Sequence, residues 1–157
     1  MLAPGDAAPD FSAPDQSGTM RSIKDFRGQT LVLYFYPKDM TPGCTQQACD
    51  FRDNMARIAS HGAAVVGISP DSVSRHVKFI AKENLTFPLL ADEEHAIADR
   101  YDVWKEKTLY GRHFMGIERT TFIIDAEGNV ANVFARVRVK GHVDEVIKAL
   151  EDSQRVQ

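Results

Sequence analysis

Leu31-Val-Leu-Tyr-Phe-Tyr36, followed by Pro37-Lys-Asp-Met-Thr41-Pro-Gly-Cys44-Thr-Gln-Gln-Ala-Cys49, is the stretch whose reading decides the fold. The first six residues are apolar or aromatic at every position, which predicts a central strand covered on both faces. Pro37 stops it, and a breaker-rich turn leads into a helical pattern that opens on Cys44. That helix is expected to run from about 41–43 to Ser60 and to end at His61-Gly62. At about 100° per residue, Ala48, Phe51, Met55 and Ile58 all fall within roughly 40° of Cys44. The sulfur therefore sits at the top of the buried face. A thiol at a helix N-terminus faces unpaired N–H groups and the positive end of the helix dipole, which favour thiolate over thiol. A second cysteine follows five residues later on the same helix. The pair reads as a cysteine redox centre with the rest of the chain as its scaffold.

The whole chain fits that reading. Its 157 residues suffice for one domain, 1–157, with a sizeable core. A net charge of −3 leaves no electrostatic footprint for nucleic acid, and no basic run points to a membrane surface. Met-Leu-Ala-Pro-Gly-Asp at the start has neither the basic nor the apolar region of a secretory signal, so a cytoplasmic location is expected. Two cysteines are too few for a disulfide scaffold. They also fall short of the roughly four ligands of a closed zinc site, so no metal and no cofactor is expected.

Outside the central stretch, Asp15 to Gly18 predicts a turn between two short extended pieces, and Ser22 to Phe26 a short helical turn. Ala63–Ile68 predicts a second buried strand. Val73–Glu83 predicts a helix capped by Ser72, closed near Asn84, and burying Val77, Phe79 and Ile80. Phe87–Ala91 reads as a short strand, with Pro88 marking its start or an edge. Glu93–Tyr101 reads as a helix capped by Asp92. Residues 102–117 show no period and read as a long connection. Thr120–Ile124 and Val130–Val139 predict a hairpin that leaves Arg136 and Arg138 exposed, and residues 142–152 a helix with Val143, Val146, Ile147 and Leu150 inward. The order argues for an α/β domain with a central mixed sheet flanked by helices. No exposed apolar stripe calls for a dimer, so a monomer is expected. The five histidines read as surface or packing residues, and Tyr36 and Trp104 as packing.

Pro37, Thr41 and Cys44 form the pattern P-x-x-x-T-x-x-C, which resembles the peroxiredoxin active-site motif. The Cys44-x-x-x-x-Cys49 spacing is similar to that of the bacterioferritin comigratory protein, or peroxiredoxin Q, subgroup, an atypical 2-Cys type. Gly5-Asp-Ala-Ala-Pro-Asp-Phe11, Gly116 to Asp125 and Lys140 to Asp144 look like further landmarks of that family. Gln29, where relatives commonly carry lysine, is a departure away from the chemistry. The resemblance implies a thioredoxin-like fold and thiol-dependent reduction of hydrogen peroxide and organic hydroperoxides, with a thioredoxin or similar thiol as reductant.

The resemblance also implies roles. Cys44 is the peroxidatic sulfur and becomes a sulfenic acid. Arg119 is the cation that favours its thiolate, and a rigid guanidinium fork suits this better than an amine because it can hold sulfur and peroxide oxygen together. Thr41 implies a hydroxyl that touches sulfur and peroxide, although Thr41-Pro42 read locally is an ordinary helix cap and first-turn pair. Pro37, Pro42 and Gly43 frame the substrate. Cys49 is the resolving thiol, although a free cysteine is often only a small buried side chain. In an intact helix the two Cα atoms lie roughly 8–9 Å apart, beyond the ~7 Å a disulfide tolerates. A Cys44–Cys49 bond therefore requires the first turns to unwind. Two rivals stand beside this reading. A thioredoxin-like disulfide oxidoreductase favours C-x-x-C, and a non-enzymatic redox sensor needs no turnover.

Overall fold

The computed structural model describes residues 2–155. β1 (Ser12–Pro14) and β2 (Met20–Ser22) pair antiparallel around the predicted turn. The buried Asp15 organises it, accepting from the N–H groups of Ser17 and Thr19 and from Arg21. A 3-10 turn over Ile23–Phe26 follows Ser22.

The central stretch becomes β3 (Thr30–Phe35). It runs parallel to β4 (Ala63–Ser69), which is parallel to the edge strand β5 (Leu89–Ala91). On its other side it is antiparallel to β8 (Thr120–Ile124), and β8 to β9 (Val130–Phe134). Among the described residues the sheet order is β5-β4-β3-β8-β9, a mixed sheet with β3 in the middle. Alternation along β3 then explains why Leu31 to Tyr36 are apolar or aromatic throughout. Leu31, Leu33 and Phe35 join one core with Ile68, Tyr101 and Phe122. Val32, Tyr34 and Tyr36 join the other, which holds Cys44, Phe51, Phe79 and Val146.

That second core positions the helix carrying both cysteines, α1 (Pro42–Asp53). Gly67 stands opposite Tyr34 in the register, and a Cβ there would meet the Tyr34 ring at 2.9 Å. The missing side chain lets the Tyr34 ring lie flat, and Phe51 of α1 stacks on it at 4.7 Å between centroids. Phe51 is fully buried, and truncating it to alanine would cost about 3–5 kcal/mol. α3 (Val73–Glu83) starts on Ser72, whose hydroxyl accepts from the Arg75 N–H, and stops at Asn84 in the left-handed region, as predicted. α5 (His142–Arg155) buries Val143, Val146, Ile147 and Leu150 beside α1.

Several expectations are corrected. The helix predicted through Ser60 breaks at Asn54 into α1 and α2 (Met55–Ser60). The Asn54 amide donates to the Asp50 carbonyl at 2.8 Å, taking the acceptor that a continuous helix would use for its own N–H. Cys44, Ala48, Phe51 and Ile58 nonetheless share the buried face. On α3 the inward position belongs to His76 and not to Val77, which is 48% exposed. α4 spans only Ala96–Arg100, because residues 93–95 form a turn; Asp92 still accepts from the Ile97 and Ala98 N–H groups. Residues beyond Phe134 leave the sheet, so the last strand is shorter than predicted.

The largest correction concerns 102–117. The segment is a hairpin of β6 (Trp104–Leu109) and β7 (Arg112–Ile117), closed by Tyr110 and Gly111, both at positive φ. Charged residues on both faces hid its alternation. It also exposes Leu109, Tyr110, Phe114 and Met115, an apolar patch the sequence did not announce. No helix among the described residues is long and apolar enough to cross a membrane.

Candidate active site

Cys44 is the third residue of α1, and its side chain is 2% exposed. Thr41 holds the cap position with extended backbone, and Pro42 supplies the preset φ of a first helical residue. The N–H groups of Gly43 and Cys44 lie in the first turn, where a helix offers no internal acceptor. Unpaired donors of this kind suit an oxygen that gains negative charge.

Arg119 enters from the residue before β8, where Val137 fixes its carbonyl at 2.9 Å. Its Nη2 donates to Cys44 Sγ at 3.2 Å, and its Nη1 to Gln47 Oε1 at 2.5 Å. Gln47 is fully buried and lies one helical turn beyond Cys44, on the same face. It therefore sets the rotation of the guanidinium. Gly43 leaves room for the same group, since a Cβ there would stand 3.4 Å from Nη2.

The surroundings sharpen this charge arrangement. Lys107 of β6 is half-buried; its ammonium is pushed below the usual lysine range by burial and then by Arg119, while Cys44 and Glu118 act in the opposite sense. His142 is buried, with Nε2 2.8 Å from the Thr121 hydroxyl. Burial, and secondarily Arg119, pushes it down to about 4, so it stays neutral behind the guanidinium. The Tyr34 hydroxyl and Gln47 Nε2 are buried without a hydrogen-bond partner among the described residues. Burial foremost, and then Cys44, holds the Tyr34 phenol protonated.

Of the predicted residues, Cys44, Arg119 and Gly43 come together. Thr41 is near in sequence, but its hydroxyl donates to the Lys38 carbonyl at 2.9 Å, not to the sulfur. Pro37 is half-buried and Pro42 exposed at the rim. Cys49 is half-buried on a different face of α1, and both cysteines are free thiols. The Cys49 thiol donates to Glu83 Oε2 at 3.6 Å, and burial foremost, with Glu83, pushes it above the usual thiol range.

Sequence reading missed three features. Gln47 was findable, since i+3 from Cys44 is the same helix face. Asp39 and His76 were not. Asp39 is buried and accepts from the Tyr36 hydroxyl at 2.5 Å; its other oxygen is 2.6 Å from His76 Nδ1. His76 Nε2 stands 2.9 Å from the Leu90 carbonyl. A carbonyl can only accept, so that nitrogen carries a proton. The reading of Tyr36 as packing alone is therefore incomplete, and His76 is a buried polar anchor. Trp104 packs as expected, with its ring stacked on His95 at 4.0 Å.

Comparisons with known proteins place the chain in one family. Residues 4–133 match the AhpC/TSA family model. The chain is 49% identical to the Bacillus subtilis protein Peroxiredoxin Bcp over 148 residues, 94% of each chain. It is 45% identical to the Escherichia coli K12 Peroxiredoxin Bcp over 96% of this chain and 97% of that one. Among solved structures, the bacterioferritin comigratory protein of Xanthomonas campestris, studied for alkyl peroxide reduction, superposes with a TM-score of 0.89 at 39% identity over 98% of both chains. A cysteine variant of Xylella fastidiosa PrxQ gives 0.93 at 35% identity, again over 98% of both.

Proposed function

The chain belongs to the AhpC/TSA family and is a thiol peroxidase of thioredoxin-like fold, and on that premise we propose that Cys44 is the peroxidatic sulfur, Arg119 its cation and Cys49 the resolving thiol. The observation that carries the proposal is the 3.2 Å contact from the Arg119 guanidinium to Cys44 at the opening of α1.

The Cys44 thiolate attacks the distal oxygen of a hydroperoxide. The O–O bond breaks, sulfur becomes a sulfenic acid, and the leaving alkoxide takes a proton to depart as alcohol or water. Arg119 and the first-turn N–H groups of α1 stabilise the negative charge as it moves from sulfur to the leaving oxygen. The Thr41 hydroxyl turns from Lys38 to the incoming oxygen, while Pro37, Pro42 and Gly43 frame the opening. Cys49 then displaces hydroxide from the sulfenic sulfur, giving a Cys44–Cys49 disulfide and water. Both cysteines lie within α1, so their Cα atoms are roughly 8–9 Å apart, and this step unwinds part of that helix.

A disulfide product calls for a dithiol reductant, and a thioredoxin-type protein in the cytoplasm is the partner we assign. Every group named above comes from one chain, so a monomeric single domain suffices. In a rapid-mixing test, Cys44→Ser abolishes hydrogen peroxide consumption and Cys49→Ser keeps a single turnover. Peroxide consumption by the Cys44→Ser protein would overturn the assignment.

A further inference from the structure

α3 touches the active-site segment at both ends, and the two grips differ in strength. Ahead of Cys44, Asp39 is tied four ways. Its N–H donates to Asp71 at 2.8 Å, its carbonyl accepts from Arg75 at 3.2 Å, and its carboxylate meets the Tyr36 hydroxyl and His76. Cys44 itself is buried and contacted by Arg119. Beyond it, Ala48 and Phe51 are buried against the core, but the grip of α3 on Cys49 itself is light. Cys49 donates through a thiol at 3.6 Å to Glu83, the last residue of α3. Arg52, one turn further along α1, donates from Nη1 to the Glu83 carbonyl at 2.6 Å. A guanidinium on the terminal carbonyl of α3 also suits that helix's negative end.

Disulfide formation requires one of the two cysteines to leave its place. Whichever turns of α1 unwind, the Cys49 sulfur has to swing toward Cys44, and the contact it must break is the one to Glu83. We propose that Glu83, steadied by Arg52, is a positioning residue for the resolving step: a clasp from α3 onto α1 that keeps Cys49 on a wound helix and sets how fast it is released to the Cys44 sulfenic acid. The proposal rests on the assignment of Cys49 as the resolving thiol. Burial and the Glu83 carboxylate also keep the clasped sulfur protonated, hence unreactive toward peroxide until release. Glu83 is not a base for this thiol. A carboxylate is a far weaker base than a thiolate, and burial favours the protonated sulfur. In the step itself the Cys49 sulfur forms the S–S bond, the S–O bond of the sulfenic acid breaks, and the thiol proton leaves with hydroxide as water.

The test mixes each reduced protein with hydrogen peroxide, quenches with an alkylating reagent, and follows thiol, disulfide and sulfinic acid by mass spectrometry. Glu83→Ala and Arg52→Ala form the Cys44–Cys49 disulfide about 2–10-fold faster, the range expected for losing one modest hydrogen bond. At excess peroxide both accumulate correspondingly less Cys44 sulfinic acid, while the initial loss of the Cys44 thiol keeps its rate. Glu83→Gln, which retains an acceptor but no charge, falls between. A disulfide step that is unchanged or slower in Glu83→Ala overturns the clasp while leaving the role of Cys49 intact. Absence of a Cys44–Cys49 disulfide in the unaltered protein overturns the role of Cys49, and the clasp with it.

Discussion

Gln47 accepts a 2.5 Å hydrogen bond from Arg119 and thereby decides which nitrogen of the guanidinium meets Cys44. The amide is fully buried, so its orientation is set by packing. Replacing it by leucine keeps the volume and removes the acceptor. Gln47→Leu should slow oxidation of Cys44 by hydrogen peroxide about tenfold, the kinetic equivalent of one hydrogen bond to a charged group. Stopped-flow mixing at neutral pH measures it.

The Asp39–His76 contact is buried on both sides, with 0% side-chain exposure for each partner. Taking away one member leaves the other without its match in an apolar setting. His76→Leu should cost about 3–5 kcal/mol in urea unfolding, and the double change Asp39→Leu, His76→Leu should recover much of that. A double variant whose cost equals the sum of the Asp39→Leu and His76→Leu costs would show that the pair contributes no coupling.

His142 gives the stability a pH slope. Its folded pKa is pushed down to about 4 by burial, below the free imidazole value. The unfolded chain thus binds the proton more readily. The contribution is fully present above about pH 6.5, is lost as pH falls toward 4, and is exhausted below that. Its size is about 3 kcal/mol over the window. His142→Gln keeps a partner for Thr121 and should flatten the difference in unfolding free energy between pH 7 and pH 4 by about that amount.

Cys49→Ser separates the two halves of the cycle. The first equivalent of peroxide should be consumed at the rate of the unaltered protein. Turnover with a dithiol reductant should fall, and Cys44 should accumulate as sulfinic acid at excess peroxide. Mass spectrometry after repeated peroxide additions measures the accumulation.

The central sheet was legible because β3 carries apolar residues on both faces, which only a covered strand requires. The Cys44 end of α1 was legible from Thr41, Pro42 and the spacing of Ala48, Phe51 and Ile58. The β6–β7 hairpin was not, because Lys105, Glu106 and Lys107 give it no apolar alternation, and its closing turn uses Tyr110 and Gly111 in place of a common turn pair. The break at Asn54 depends on one side chain competing for the Asp50 carbonyl, which helical periodicity does not register. Asp39 with His76, and Cys49 with Glu83, join residues 37 and 34 positions apart. Contacts of that kind exist only once the sheet has brought α3 beside α1.

The most direct measurement is the second-order rate constant for hydrogen peroxide with Cys44, in Cys49→Ser proteins carrying either Arg119 or Arg119→Lys. Lysine keeps the charge and loses the fork that bridges sulfur, Gln47 and the incoming oxygen. The lysine protein should react about 100-fold or more slowly. Equal rate constants for the two proteins would mean that the guanidinium fork plays no part in the reaction.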